Sequence, residues 1–453
     1  MACRGQIGIG FLFVLLTPAA MSDCPASSSP AGRLNEARAG HTATLLPDGK
    51  VLVVGGLNSI DRLKSAELFD PATGLWILTG PLKTRRNAHT ATLLPDGKVL
   101  VTGGNTTGYQ PLRTSELYDP ATGRWNETGE LINPRAYHTS TLLPDGTVLV
   151  AGGGNDTNQS TLASAELYHP ATGTWTETGR LLTPRAFHTA TLLLDGTVLA
   201  AGGGVDSSRT NNYSSAELYH PASGLWKPTG ELTRKRSHFT ATLLPDGRVL
   251  AAGGVNASEV DDATSTAELY DPATGRWIST KSMVTGRYGH SATLLRNGSV
   301  LVAGGSSGLQ DLSSTEIYSP ASDVWTASFP MLEARLLHTA TSLGDGAVLI
   351  AGGVELGIPR WLASTLLICA GDGWSISFTH VNQLPGGAMA FGFAASPDAG
   401  FSVYGSADIA APVSLWTPLG APWQVAPGHF EFTDAQGTGQ QRFYRVASPP
   451  AER

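Results

Sequence analysis

One pattern recurs seven times along the 453 residues, and no other feature restricts the fold so strongly: Arg-x-x-His-Thr-Ala-Thr-Leu-Leu-Pro-Asp-Gly-x-Val-Leu-x-x-Gly-Gly, a variable stretch, then Ala-Glu-Leu-Tyr-Asp-Pro-Ala-Thr-Gly-x-Trp. The copies start at Arg38, Arg86, Arg135, Arg185, Arg236, Arg287 and Arg335, 48 to 51 residues apart. Such a period marks a supersecondary unit that buries its apolar faces only against neighbouring copies. With 54 Gly, 28 Pro and 15% charged residues, the units read as short strands joined by tight turns, without long helices.

The second copy shows the chemistry. His89 to Leu94 is β-branched and apolar and ends at Pro95-Asp96-Gly97, where Pro presets φ and Gly accepts a positive φ. The chain therefore reverses into Lys98 to Thr102, and Gly103-Gly104 closes this second strand while permitting close backbone approach. Ser115 to Tyr118 is a third strand, Asp119 to Gly123 a second tight turn, and Trp125 opens a fourth strand as a large packing unit between sheets. Seven such four-stranded units predict an all-β, seven-bladed β-propeller, and residues 375–453, which do not continue the repeat but alternate at Phe401 and Val403 and at Phe443 and Arg445, predict a small C-terminal β module. The fifth copy has Phe239 in the His position, with His238 displaced by one, and the seventh has Leu366 and Ile368 for Glu and Tyr. Every copy reads as complete from strand one to strand four, so no strand is expected to be borrowed for closure, although a latch near Gly32 to Ala37 stays open.

The Gly-Gly doublet, the Tyr and the Trp at fixed offsets resemble the kelch repeat, in the secreted bacterial form also found in the galactose oxidase-like propeller superfamily. The resemblance covers roughly residues 30 to 375. It implies that galactose or glyoxal oxidase chemistry is worth testing, which uses copper held by two Tyr and two His with a Cys-Tyr cross-link. The only cysteines beyond the leader are Cys24 and Cys369, neither in an early blade beside a suitable Tyr, so copper is disfavoured and no cofactor is expected. His380 and His429 carry no mark of ligands.

One Arg, an apolar run from Ile7 to Leu16 and small residues before Ser22 have the layout of a secretory signal peptide. The expected organisation is signal peptide 1–22, linker 23–37, propeller 38–374 and C-terminal β-rich module 375–453. The destination is the exterior, the periplasm or the cell surface, with lipid attachment at Cys24 disfavoured by Asp23. Cys24 and Cys369 form one disulfide, or remain a free thiol on the tail and a buried one. No later stretch is apolar enough to span a membrane. The net charge of −7 and dispersed basic residues argue against nucleic acid. A monomer is expected.

The strand one–two and three–four turns are uniform, whereas the first six strand two–three loops vary, with Gly-to-Glu offsets of 12 to 15 residues. Loops on a rigid scaffold are where specificity is placed. Candidate ligand residues there are Asn58, Arg62, Tyr109, Asn155, Arg209, Tyr213, Asp262, Gln310 and Trp361, whose amide, charged and aromatic groups suit an extracellular glycan or protein. Two arrays imitate active sites: His41, His89, His138, His188, His290 and His338, and Glu67, Glu116, Glu166, Glu217, Glu268 and Glu316 beside the repeated Arg. Because every blade demands them, packing or hydrogen bonding explains the His, and backbone donors or inter-blade ion pairs explain the Glu. No catalytic or metal residue is assigned. The expected function is a non-enzymatic binding or scaffold protein; the alternative is a carbohydrate- or alcohol-active enzyme of the same superfamily.

Overall fold

The computed structural model describes residues 27–155, 160–205, 211–256 and 263–369, together with strands between 377 and 447. Residues 27–369 form seven four-stranded antiparallel sheets arranged as the blades of an all-β propeller. In blade two the strands are Thr90–Leu93, Val99–Thr102, Ser115–Asp119 and Arg124–Glu127, with Leu93 opposite Val99 and Asp119 opposite Arg124 across the two tight turns. The innermost strands are half-exposed along their length and face the central channel, while the second strands, Val-Leu-Val-Val in blade one, are buried on both faces. This explains why the second run is continuously apolar instead of alternating.

Blades join through the motif residues. A side chain on Gly55 would lie 2.6 Å from the Arg86 carbonyl of the next blade, and the amide of Gly56 donates to that carbonyl at 2.9 Å. The doublet therefore brings adjacent backbones together beside the channel. Further out, Trp125 is tilted 45° against Tyr118 at 5.0 Å, and its Nε1 donates to Gly80 of blade one at 2.7 Å. The Tyr118 hydroxyl shares a hydrogen bond with Thr79 of blade one at 2.8 Å.

The ring closes by an N-terminal latch, which the sequence left open near Gly32 to Ala37, and not by a self-contained blade seven. Blade seven is not complete in itself: Ser27–Arg33 runs antiparallel to Ser364–Cys369 as its outer strand, with Ser27 opposite Cys369 and Arg33 opposite Ser364. Residues 27–33 are thus blade material and not linker, and Ser27–Ala370 forms one compact unit. The segment escapes the repeat pattern because it carries no Trp and contains Pro30, which an edge strand tolerates since one side of it needs no ladder donors. The latch also reaches blade one, where Trp76 Nε1 donates to Ala31 O at 3.2 Å and to Thr365 Oγ1 at 3.1 Å. Cys369 is disulfide-bonded. Its buried free-thiol alternative is therefore set aside, and Cys24, the partner in the other alternative, lies outside the described residues.

The C-terminal stretch contains a four-stranded sheet ordered 377–383, 389–394, 429–434, 423–426, and a three-stranded sheet ordered 417–420, 402–406, 443–447. No helix among the described residues is long and apolar enough to cross a membrane.

Candidate functional site

Each repeated Arg is fully buried and held by four or five acceptors. Arg86 Nη1 donates to the carbonyls of Gly103 and Thr114 at 2.8 and 3.0 Å, and Nη2 to Thr114 Oγ1 and Glu116 Oε1 at 3.0 and 2.8 Å. Glu116 also accepts from the backbone N–H of Lys83 and Thr84, at 2.8 and 3.2 Å, fixing the chain that enters the blade. The Glu array does satisfy backbone donors, but its ion pairs form within one blade and not between blades. In blade seven, where Leu366 replaces Glu, Arg335 turns to Glu333 at 3.2 Å. Burial lowers Arg335 to about 10 against the opposing pull of Glu333.

The His array is the inter-blade fastening. Nε2 of His89 pairs with Thr42 Oγ1 of the preceding blade at 2.9 Å, His138 with Thr90 at 3.0 Å and His188 with Thr139 at 3.1 Å. His290 pairs with Thr240 at 3.0 Å and His338 with Ser291 at 2.9 Å, and His41 closes the circle with Thr339 at 3.0 Å. Burial, reinforced by the adjacent Arg cation, lowers His188, His290 and His338 to about 3 and His41, His89 and His138 well below 6.5. These imidazoles are neutral at ordinary pH. At Phe239 the circle is interrupted, and Thr189 Oγ1 is buried without a partner.

The repeat Tyr118, Tyr168, Tyr219, Tyr270 and Tyr318 are fully buried, and Cys369 is in a disulfide. No group of three or more His, Cys, Asp or Glu among the described residues could hold a metal ion. The side chains of His380 and His429 lie outside the described residues.

On the strand two–three loop face the side chains are unlike one another. The Arg62 guanidinium stacks on the Tyr109 ring at 4.3 Å, and its Nε donates to Asn87 Oδ1 at 3.4 Å. Asp61 accepts from Arg85 at 2.6 Å and from Thr107 Oγ1 at 3.1 Å. Beside them lies a cleft of about 330 Å³ lined by Glu36, Asn58, Asp61, Arg62, Lys64 and Arg85. Thus Arg62 and Tyr109, expected from different loops, come together.

Among the remaining described candidates Asn58 lines this cleft, whereas Tyr213, Trp361 and Gln310 make their contacts elsewhere. Asn58 spends its Oδ1 on the N–H groups of Ile60 and Asp61 at 2.8 and 3.1 Å, shaping its own turn. Tyr213 lies over the buried Arg185 guanidinium at 5.8 Å, and Trp361 packs on the cluster of Ala39, Val255, Tyr288, Leu336 and Val354. Gln310 is exposed in its own loop, where its carbonyl accepts from Ser307 N–H at 2.9 Å. Arg209, Asp262 and the side chain of Asn155 lie outside the described residues.

A second group on this face is invisible in the motif because it fills the unspecified third position of Arg-x-x-His. Gly40, Ala88, Tyr137, Phe187, His238, Gly289 and Leu337 form a closed circle of seven backbone hydrogen bonds around the propeller axis. Each N–H donates to the preceding blade's carbonyl, from 3.0 Å for Gly40 to Leu337 up to 3.3 Å for Phe187 to Tyr137. All seven have positive φ, from 51° at Ala88 to 61° at Gly289. A non-glycine residue pays about 1 to 2 kcal/mol there. Nevertheless Tyr137, Phe187 and His238 stand side by side, half-buried, with centroids 4.3 Å apart in both pairs and tilts of 35° and 21°. The signal available in the sequence was the irregular content of the two unspecified slots between the repeated Arg and the His position.

The family model described as "KLHDC2/KLHL20/DRC7 Kelch-repeats domain" matches residues 22–203 and 138–353. No curated protein matches the chain. Among solved structures, a fungal alcohol oxidase of the AA5 family in complex with copper is similar at 15% identity and TM-score 0.61, over 91% of this chain and 92% of that one. The structure titled "Structure of YjhT" is similar at 14% identity and TM-score 0.52, over 66% of this chain and 99% of that one. At these identities the likeness is one of fold.

Proposed function

The chain belongs to the kelch-repeat family, and from that premise we propose that it is an exported, non-enzymatic binding or scaffold propeller whose strand two–three loop face holds a glycan or a protein. The observation that carries this reading is the pairing of Arg62 with Tyr109 beside Asn87 and Asp61. Four different functional groups from two blades meet at one rim of an otherwise repetitive molecule. The two arrays that imitate catalytic machinery are occupied in joining backbone and blades, so their chemistry is structural. The disulfide at Cys369 supports an oxidising compartment.

The test is a thermal-shift screen of the whole protein against extracellular glycans, with copper and calcium added separately. Ligand at about a hundred times its dissociation constant raises stability by roughly 2.7 kcal/mol. The expected result is a ligand-dependent shift, without turnover, that the double variant Arg62→Ala/Tyr109→Ala removes. A copper-specific shift accompanied by oxidation of an alcohol would replace this reading with the enzymatic one.

A further inference from the structure

We infer that the arc Tyr137–Phe187–His238 at the axial mouth is an apolar platform for the ring of a neutral sugar, the central subsite of the loop face proposed above. The inference rests on that reading and narrows its ligand to one class.

Three observations lead to it. The third slot of each repeat is held at positive φ by the hydrogen-bond circle, a conformation in which glycine is the least costly residue and a bulky side chain is an outlier. Blades one and six do place Gly there. Packing does not force this, since a Cβ on Gly40 would meet nothing closer than Asn87 Nδ2 at 3.9 Å, and one on Gly289 nothing closer than Leu336 at 3.6 Å. Large and small residues fit the same slot, so the choice among them is not made by the fold.

The choice is also ordered. Three aromatic rings fall in consecutive blades, and on the far side of the circle Gly289, Gly40 and Ala88 leave room, with only Leu337 projecting between them, 44% exposed. One side of the mouth is therefore a stepped aromatic surface and the other a shallow, mostly side-chain-free backbone rim. Strained residues that the surrounding structure over-determines gather at ligand sites. Because rings with centroids 4.3 Å apart lie face to face, Phe187 is covered on both sides, and the half-buried stack presents a band of apolar ring edges beside polar backbone.

A pyranose matches this division, because its C–H face is apolar while its hydroxyl rim needs hydrogen bonds. The circle contains no carboxylate, Lys or Arg, and the chain's net charge of −7 does not favour an anionic ligand. A neutral sugar is the class these features select. His238 is positioned from its own backbone neighbour, its Nδ1 lying 3.1 Å from Ser237 Oγ.

The test titrates cello-, xylo- and manno-hexaose into the full protein by calorimetry, with the variants Tyr137→Gly, Phe187→Gly and Phe187→Tyr. Glycine is native to this slot in two blades, so the glycine variants are expected to fold with a melting temperature equal to or above that of the parent. Each should weaken sugar binding at least tenfold, and Phe187→Tyr should retain it. The platform is refuted if both glycine variants bind a hexaose as the parent does. If that binding is instead lost in Arg62→Ala/Tyr109→Ala, the loop-face reading stands without the platform. Absence of binding by the parent to all three sugars at millimolar concentration also overturns the platform. A protein ligand found on the Arg62 and Tyr109 rim in that case keeps the broader reading. A lowered melting temperature with unchanged binding would show that the rings merely pack the channel mouth.

Discussion

Thr189 shows how one departure from the repeat changes the chemistry of its neighbour. In six of the seven blade junctions a hydroxyl on the innermost strand meets the Nε2 of the next blade's His, whereas Phe239 leaves the Thr189 hydroxyl buried and unpaired. A buried polar group without a partner costs about 1 to 3 kcal/mol, and replacing it by an apolar group of the same shape removes that cost. Thr189→Val should therefore raise the unfolding free energy by about 1 kcal/mol. Thr240→Val, which strips His290 of its partner, should lower it by about 1 to 3 kcal/mol. Urea melts of the two variants check the opposite signs; destabilisation by both would mean that the Thr189 hydroxyl is satisfied. The interruption at Phe239 was readable in the sequence, but its effect on Thr189 was not, because the partner is about 50 residues away.

At the level of the element, the innermost strands carry a pH dependence. His188, His290 and His338 titrate near 3 in the folded protein because burial excludes the charged form, against 6.5 for an ordinary imidazole. Their folded pKa values are lowered, so between pH 6.5 and 3 the unfolded chain binds more protons than the folded one. Stability is full above pH 6.5 and falls as pH falls. Each histidine contributes about 1.4 kcal/mol per pH unit, or about 4 kcal/mol per unit for the three together. Melting temperature should be level from pH 8 to 7 and drop steeply from pH 6 to 5, before most carboxylates protonate. Replacing His188 by Phe, the residue blade five already uses, should flatten that slope, and a melting temperature insensitive to pH between 7 and 5 would refute the account. The strands themselves were legible, since alternating and continuous apolar runs bounded by Pro-Asp-Gly and Asp-Pro-Ala-Thr-Gly fall where the sheets form. The circle of third-slot residues was not, because its geometry comes from seven separate strands converging on one axis.

For the whole molecule, closure of the ring depends on Ser27–Arg33. Gly32 is a close point of this latch: its φ is +77°, and a Cβ there would lie 2.8 Å from the Gly74 carbonyl of blade one. Gly32→Ala should thus cost more than Gly49→Ala, which has a φ of +86° and nothing within 4 Å; strain alone accounts for about 1 to 2 kcal/mol at either site. Removing residues 27–33 should expose the edge of Ser364–Cys369, lower the melting temperature and promote self-association, as light scattering would show. An unchanged, monomeric melt after that deletion would mean that blade-to-blade packing alone closes the ring. By itself the sequence determined the number of blades, the strands within them, the turns and the face on which variation is concentrated, because each depends on residues adjacent in the chain or repeated at a fixed period. Only the tertiary structure decided which strand completes blade seven, that Arg and Glu pair within a blade while His reaches the preceding one, and that three rings share the axial mouth. Those relations join residues from 29 to more than 300 positions apart, and spatial proximity at such separations is set by closure of the ring.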